Sequence, residues 1–297
     1  MATLYEVAPR DGLQNEAVRI PTAVKIAFID RLSEAGLPAI EVTAFVRPDR
    51  VPQLQDAEAV VAGITRRPGT RYSALVPNIV GFQRAAAAGL AEVAVLAAAS
   101  ETFSRKNINQ SIDEAMATCR AVASAAGEAG IHVRAYLSTA FGCPFEGAVP
   151  VDRVVALSAR LAEMDVFEIA VSDTIGVAHP GQVRALLTAL LEAVPADKLA
   201  LHFHDTRGMA VANVLAALEF GIETFDGSAG GLGGCPFAPG ASGNVATEEL
   251  IYLLHGLGHP VGVRVEDVAG AVAPLQALLQ HRLSSRVFQS MQAGERA

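Results

Sequence analysis

The chain has 297 residues, 51% of them hydrophobic, and a formal net charge of −8 at pH 7. This apolar content is ample for a buried core, and α/β barrels commonly form one domain of about this length. The acidic balance and the lack of a Lys/Arg-rich run argue against nucleic acid or an anionic membrane as a partner.

The cysteines indicate a reducing compartment. There are three, Cys119, Cys143 and Cys235, too few and too widely spaced for a disulfide framework or a zinc ribbon. Strand-like residues follow Met1 almost at once, leaving no room for a signal peptide, and no apolar run could span a bilayer. We therefore expect a cytoplasmic protein.

In chain order, short apolar strands alternate with amphipathic helical patterns. The predicted strands are residues 3–8, 39–44, 72–76, 92–97, 132–137, 167–171, 198–204 and 223–226. The helical patterns between them lie near residues 22–35, 53–63, 81–88, 111–129, 151–163, 182–191 and 210–220. Eight strand units predict an α/β fold closed into a (β/α)₈ TIM barrel. An open doubly wound sheet is the alternative, weakened because no Gly-x-Gly-x-x-Gly follows the first strand.

A further helical pattern at residues 265–283 lies beyond the eighth unit. We expect a catalytic barrel domain at residues 1–258 and a C-terminal helical extension at residues 259–297. The extension is expected to pack on the barrel or to help form a dimer.

The seventh strand carries the most informative residues, because it runs from apolar Leu199 to a polar end at His202, His204 and Asp205. Side chains alternate along a strand, so the two histidines face the same way, a spacing that suits a divalent metal. Imidazole alone does not name the metal. Asp205 faces the opposite way, and capping the next helix is as well supported for it as catalysis.

Other polar residues follow the ends of the predicted strands. Asp11 follows the first, Glu41 lies in the second, Asp173 ends the sixth, and a loop with seven glycines, residues 227–244, follows the eighth. Each carboxylate alone could cap a helix. Their repeated position at the carboxyl ends of strands, where barrel enzymes place their active sites, predicts an active site there.

Several motifs together resemble a known family. They are VAPRDGLQNE at residues 7–16, EVT at 41–43, KNIN at 106–109, SDTIG at 172–176, HFHD at 202–205, and GGLGGCP at 230–236 continuing to Gly243-Asn244. In this order and approximate spacing they resemble the 3-hydroxy-3-methylglutaryl-CoA (HMG-CoA) lyase family across almost the whole chain. The resemblance implies a metal-dependent, homodimeric barrel enzyme of leucine breakdown that splits an acyl-CoA substrate, (S)-HMG-CoA, into acetyl-CoA and acetoacetate.

The resemblance also implies a ligand set for the metal, namely Asp11, His202, His204 and Asn244. Two imidazoles, a carboxylate and an amide oxygen form a mixed nitrogen and oxygen site suited to Mg²⁺ or Mn²⁺. Asn244 stands just before an apolar helical run, so it could cap the last barrel helix, either in place of binding metal or in addition to it.

Catalytic roles follow from the same resemblance. Arg10 would reach the thioester oxygen, and Cys235 would donate a proton to the enolate. Glu41 and Asp173 would support the site. The base that accepts the hydroxyl proton is left open between Asp11, His204 and Glu41.

The resemblance implies substrate contacts from Arg10, Gln14, Thr174 and Lys106. The chain departs from the family pattern at Ser172, where glycine is frequent, and at Ala17, where a basic residue is common. A lyase for a longer-branched 3-hydroxyglutaryl-CoA is therefore an alternative. A synthase that condenses acetyl-CoA with a 2-oxo acid, and a non-catalytic binding protein, are more distant ones.

Lys106, beside Arg105, is predicted to meet the phosphates of CoA. Replacing Lys106 by alanine should raise the apparent KM for the acyl-CoA substrate in steady-state kinetics. An unchanged KM would remove this hypothesis.

Overall fold

The computed structural model describes residues 2–234 and 243–294. Eight parallel strands form a closed barrel in chain order. They are β1 (Thr3–Glu6), β2 (Ala39–Ala44), β3 (Arg71–Leu75), β4 (Glu92–Ala98), β5 (His132–Ser138), β6 (Glu168–Asp173), β7 (Leu199–Phe203) and β8 (Thr224–Gly227). Because β8 pairs with β1, the predicted barrel is confirmed and the open sheet is wrong.

Helices surround the barrel. Those of the barrel layer are α1 (Thr22–Glu34), α2 (Ala57–Gly63), α3 (Ile79–Ala87), α4 (Glu101–Ile108), α5 (Ile112–Glu128), α6 (Val151–Ala162), α7 (Pro180–Leu190), α8 (Ala210–Leu218) and α9 (Thr247–Gly256). The chain continues into α10 (Val265–Leu279) and α11 (Arg286–Gly294). In the part of the chain that the structure describes, no helix has the length and apolar character needed to cross a membrane.

Alternation along the strands separates two apolar layers. On β7, Leu199, Leu201 and Phe203 join the large core between strands and helices. Ala200 belongs instead to a second cluster with other small residues and Tyr136. Small alanines on this second face leave room for charged and aromatic side chains.

The C-terminal extension is tied to the loop that follows β8. Ser285 donates its backbone amide to the carbonyl of Gly230 (3.1 Å), and the Ser284 hydroxyl donates to the carbonyl of Gly231 (2.9 Å). The predicted helical pattern at 265–283 ends earlier, because Gln280 takes a left-handed conformation (φ 58°). The helices α4 and α11 were not predicted, and the division of the chain at residue 258 stays a prediction.

Phe288 anchors α11 and is 2% exposed within the main core. Replacing Phe288 by alanine should lower the free energy of unfolding by about 3–5 kcal/mol, because a large buried ring leaves a cavity. Denaturant unfolding measures this loss. Tyr252→Ala is the control, since Tyr252 is 71% exposed, and an equal loss in both variants would contradict the packing of α11.

Candidate active site

Three predicted metal ligands lie together at the carboxyl end of the barrel. Asp11, His202 and His204 each offer one ligand atom, and these atoms all lie within 4.8 Å of one another. The two imidazole centroids are 5.2 Å apart. The predicted common face of the histidines is therefore confirmed, and Asp11 reaches it from the helical turn Ala8–Gly12 that follows β1.

Arg10 on the same turn is held by two carboxylates. Its Nη1 donates to Asp11 Oδ1 (2.6 Å), and its Nη2 donates to Glu41 Oε2 (2.8 Å). The hydroxyl of Tyr136 donates to the same Glu41 oxygen (2.8 Å). Among the described residues, Arg10 Nε and Glu41 Oε1 are buried without a hydrogen-bond partner. The guanidinium is thus fixed in place through Nη1 and Nη2, while Nε has no partner among the described residues.

The electrostatics of the cluster favour the protonation states that bind a cation. Burial raises the pKa of Asp11, but the Arg10 guanidinium and the two imidazoles outweigh it and lower the pKa to about 2. Burial, His202 and Arg10 lower the pKa of His204 to about 3. Asp11 is therefore ionised and His204 neutral near pH 7, the forms that act as metal ligands.

Asn244 lies against the same carboxylate. Its Nδ2 donates to Asp11 Oδ2 (2.9 Å) and to the carbonyl of Leu232 (3.2 Å). The next helix begins at Thr247 without a side-chain cap, so the capping alternative for Asn244 is wrong. Gly233 (φ 111°) allows this approach, because a Cβ there would lie 2.7 Å from Asn244 Nδ2.

The residues present fit a divalent cation. Asn244 Oδ1 is buried without a hydrogen-bond partner in residues 2–234 and 243–294. Leaving a buried acceptor unsatisfied costs about 1–3 kcal/mol, which a bound cation would remove. A carboxylate, neutral imidazole and an amide oxygen complete a donor set suited to a cation that accepts oxygen and nitrogen ligands.

Asp173 ends β6 and Thr174 follows it, where the sequence placed them, and both side chains accept hydrogen bonds from backbone amides. Each carboxylate oxygen of Asp173 accepts one backbone amide, from Val177 (3.0 Å) and from Ala178 (2.9 Å). Burial raises the pKa of Asp173 in spite of these bonds. Thr174 Oγ1 accepts the amide of Thr139 (2.8 Å). These contacts shape the turn after β6, and active-site roles for both residues stay predictions.

Of the remaining predicted site residues, Gln14 contacts the predicted metal-ligand cluster and Lys106 is exposed on the surface. Gln14 Nε2 donates to Asp11 Oδ1 (3.3 Å), so Gln14 belongs to the cluster. Lys106 is exposed, with its Nζ 4.0 Å from the ring centre of Phe145. Cys235 lies outside the described residues.

Asp205 ties the end of β7 to its surroundings. Its Oδ1 accepts the amide of Ala210 at the start of α8 (2.9 Å), which confirms the capping interpretation. Its backbone amide donates to the carbonyl of Gly243 (2.7 Å). The end of β7, where His202 lies within the strand and His204 directly after it, is thereby joined to the segment that carries Asn244.

Sequence reasoning missed a buried ionic network in the barrel interior. Arg134 on β5 donates to Asp226 on β8 and to Glu168 on β6, and Asp226 contacts His202. Burial raises the pKa of Asp226, but Arg134 and His202 outweigh it and lower the pKa. The available signal was the occurrence of charged residues inside otherwise apolar strands.

Two buried carboxylates hold the backbone around the site. Glu6 Oε1 accepts the amides of Ala8 (2.9 Å) and Ala229 (3.0 Å), which joins the turn carrying Arg10 to the loop after β8. Glu248 accepts the amide of Gly230 at 2.9 Å from each oxygen. Burial raises the pKa of Glu6 to about 7 and that of Glu248 to about 8.

Comparison with known proteins agrees with this geometry. Residues 2–273 match the HMGL-like family. The chain belongs to the HMGL-like family. It is 50% identical over 287 residues to the mitochondrial hydroxymethylglutaryl-CoA lyase of Bos taurus, covering 97% of this chain and 88% of that protein. It is 49% identical to a hydroxymethylglutaryl-CoA lyase of Bacillus subtilis, covering 97% and 96%.

Solved structures of this HMGL-like family superpose closely. The HMG-CoA lyase of Bacillus subtilis gives a TM-score of 0.97 at 48% identity, covering 98% of each chain. An HMG-CoA lyase from Acinetobacter baumannii, in complex with coenzyme A and 3-methylmalate, gives 0.93 at 37% identity, covering 97% of this chain and 94% of that one. The carboxyl transferase domain of Rhizobium etli pyruvate carboxylase shares the fold alone, with a TM-score of 0.70 at 20% identity over 97% of this chain and 50% of that one.

The raised pKa of Glu248 predicts a pH-dependent stability. The pKa of this group rises from 4.5 to about 8 on folding, so between these values the folded protein holds a proton that the unfolded chain releases. Stability therefore falls as pH rises through this range. From pH 5 to pH 8, the free energy of unfolding should fall by about 3 kcal/mol more in the wild type than in Glu248→Gln.

Denaturant unfolding at pH 5 and pH 8 measures the difference. Glu192→Gln, which removes an exposed carboxylate, should retain the wild-type pH dependence. If Glu248→Gln retains it as well, Glu248 is not the group responsible.

Proposed function

We propose that this HMGL-like protein is a hydroxymethylglutaryl-CoA lyase, which performs a retro-Claisen cleavage of (S)-HMG-CoA to acetyl-CoA and acetoacetate. The observation that carries the proposal is the Asp11, His202 and His204 cluster, with Arg10 bonded to it, in a chain 50% identical to a curated HMG-CoA lyase over 97% of its length. The Acinetobacter baumannii relative in complex with coenzyme A supports an acyl-CoA substrate.

The reaction makes three demands on the site. Cleavage of the bond between C2 and C3 requires removal of the C3 hydroxyl proton, stabilisation of the enolate left on the thioester, and protonation of that enolate.

The metal centre is proposed to consist of Asp11, His202, His204 and Asn244, with Mg²⁺ or Mn²⁺ as the ion. A bound divalent cation supplies Lewis-acid polarisation of substrate oxygens and a template for their orientation. The buried, unpaired oxygen of Asn244 supports its inclusion. Asp11 has a second task, since one of its oxygens accepts from Arg10 and the other from Asn244.

Arg10 is proposed to stabilise the negative charge that develops on the thioester oxygen. Its bonds to Asp11 and Glu41 orient the guanidinium before substrate arrives. A donor already in place needs little reorganisation during the reaction, which is the condition for effective electrostatic stabilisation. Glu41 and Tyr136 therefore act on Arg10 by holding it.

Proton transfer involves the groups nearest this guanidinium. Glu41 keeps Oε1 unpaired among the described contacts. Asp11, with a pKa of about 2, and His204, with a pKa of about 3, are both weak proton acceptors near pH 7. We propose that Glu41 accepts the hydroxyl proton. Cys235, which directly follows the described Gly234, is proposed to protonate the enolate.

We further propose a cytoplasmic homodimer that acts in leucine breakdown. Curated relatives include a cytoplasmic form in Danio rerio and a mitochondrial form in Bos taurus. The small number of cysteines supports a reducing compartment. The dimer and the pathway rest on the family resemblance.

A turnover assay tests the proposed function. Purified protein is incubated with HMG-CoA, and acetoacetate is followed with Mg²⁺, with Mn²⁺, and after EDTA treatment. We expect acetoacetate only when metal is present. Cys235→Ala should lose about 10²–10⁴-fold in kcat, the usual contribution of a positioned proton donor.

Cys119→Ala is the matched control, because Cys119 is buried in α5 and its pKa is raised by burial to about 12, so it should keep wild-type kcat. No acetoacetate from metal-loaded protein would overturn the assignment of HMG-CoA as substrate. Longer-branched 3-hydroxyglutaryl-CoA esters would then be tested first.

A further inference from the structure

The two histidines of the proposed metal centre differ in what surrounds their Nδ1 atoms. His202 Nδ1 lies 3.0 Å from Asp226 Oδ2. His204 Nδ1 is buried and has no hydrogen-bond partner in the part of the chain that is described. Among the described residues, a carboxylate therefore meets Nδ1 of His202 but not Nδ1 of His204.

Asp226 is placed by the sheet. His202 on β7 and Asp226 on β8 are direct partners in the parallel register, so their side chains leave neighbouring strands at one level of the barrel. Asp226 is 2% exposed, and water cannot serve as its main partner. A buried carboxylate needs compensating charge or hydrogen bonds, because desolvation alone disfavours the ionised form.

Arg134 supplies that compensation. Its Nη2 donates to Asp226 Oδ1 (2.6 Å) and its Nη1 donates to Oδ2 (3.1 Å), a two-point contact that sets the plane of the carboxylate. The Oδ2 atom is the one that also meets His202. The carboxylate is thus fixed on one side by a guanidinium and faces the imidazole on the other.

Arg134 is itself immobilised. Its Nε donates to Glu168 Oε2 (2.6 Å), and its guanidinium carbon lies 3.9 Å from the ring centre of Tyr5 and 5.0 Å from that of Tyr136. The side chain is fully buried. The series Glu168, Arg134, Asp226 and His202 therefore crosses four neighbouring strands, β5 to β8, without an exposed member.

We propose that Asp226 is a positioning residue for His202, and that Arg134 holds Asp226 in place for this task. This inference rests on the proposed metal centre. A carboxylate at Nδ1 keeps the proton on that nitrogen, so the lone pair of Nε2 is free to bind a cation. It also fixes the ring plane and raises the basicity of the ligating nitrogen.

Asp226→Asn tests the inference by metal binding, independently of turnover. Metal-stripped protein is titrated with Mn²⁺, and free Mn²⁺ is followed by electron paramagnetic resonance. The Kd for Mn²⁺ should rise about 10–100-fold in the variant, the usual effect of losing the partner of a ligating histidine. Asparagine retains the size of the side chain but loses the charge and presents an amide group that can donate to Nδ1.

Glu168→Gln is the matched control. This substitution also removes one carboxylate partner of Arg134, but the carboxylate bonded to His202 is that of Asp226 and is retained. Both variants should lose similar stability in urea without metal, whereas only Asp226→Asn should lose Mn²⁺ affinity strongly. Equal losses of affinity would overturn the positioning role and leave only a structural one.

A second measurement is made on the wild-type protein and does not depend on the folding of Asp226→Asn. In metal-free protein labelled with ¹⁵N-histidine, the His202 resonances, assigned by their absence from His202→Asn, should show the proton on Nδ1. A proton on Nε2 would overturn the inference. If wild-type protein binds no Mn²⁺, the proposed metal centre fails; if it binds Mn²⁺ and Asp226→Asn binds equally well, only the inference fails.

Discussion

Arg134 is a charged side chain buried inside the barrel, and a buried guanidinium requires carboxylates around it. With its side chain fully buried, it is paired to Asp226 and Glu168 and lies against the ring of Tyr5. Removing one partner of such a network leaves an uncompensated charge, which commonly costs about 3–5 kcal/mol. The alanines on the inner face of the barrel provide the volume that these side chains occupy.

The ionic interior lies directly beneath the catalytic end. Tyr136 illustrates the connection, because its ring lies near Arg134 while its hydroxyl donates to Glu41, the carboxylate that holds Arg10. Asp226 makes a second connection through His202. The polar groups that fill the barrel thus also orient the groups proposed to bind metal and substrate. Residues such as Tyr136 and Asp226 therefore contribute both to the stability of the barrel and to the proposed site.

Backbone segments far apart in sequence are joined at the carboxyl end of the barrel, where the proposed site lies. Glu6 accepts amides from the turn after β1 and from the loop after β8, and the C-terminal extension reaches that loop through Ser285. These contacts place Arg10, Asp11 and Asn244 relative to the histidines of β7. A loop rich in glycine needs such anchors, because glycine loses more conformational freedom on ordering than other residues.

The barrel, its eight strands and the common face of His202 and His204 were predictable from the sequence, since these depend on local periodicity and on alternation along one strand. Asp11 and Glu41 were indicated by their positions at strand ends, and Arg10 by the family resemblance. Tertiary structure alone decided the helical α11, the failure of Asn244 to cap α9, and the pairing of Asp226 with Arg134 and His202. Those features depend on strand register and on contacts between residues far apart in the chain, 92 positions for Arg134 and Asp226 and 233 for Asp11 and Asn244, which local patterns do not encode.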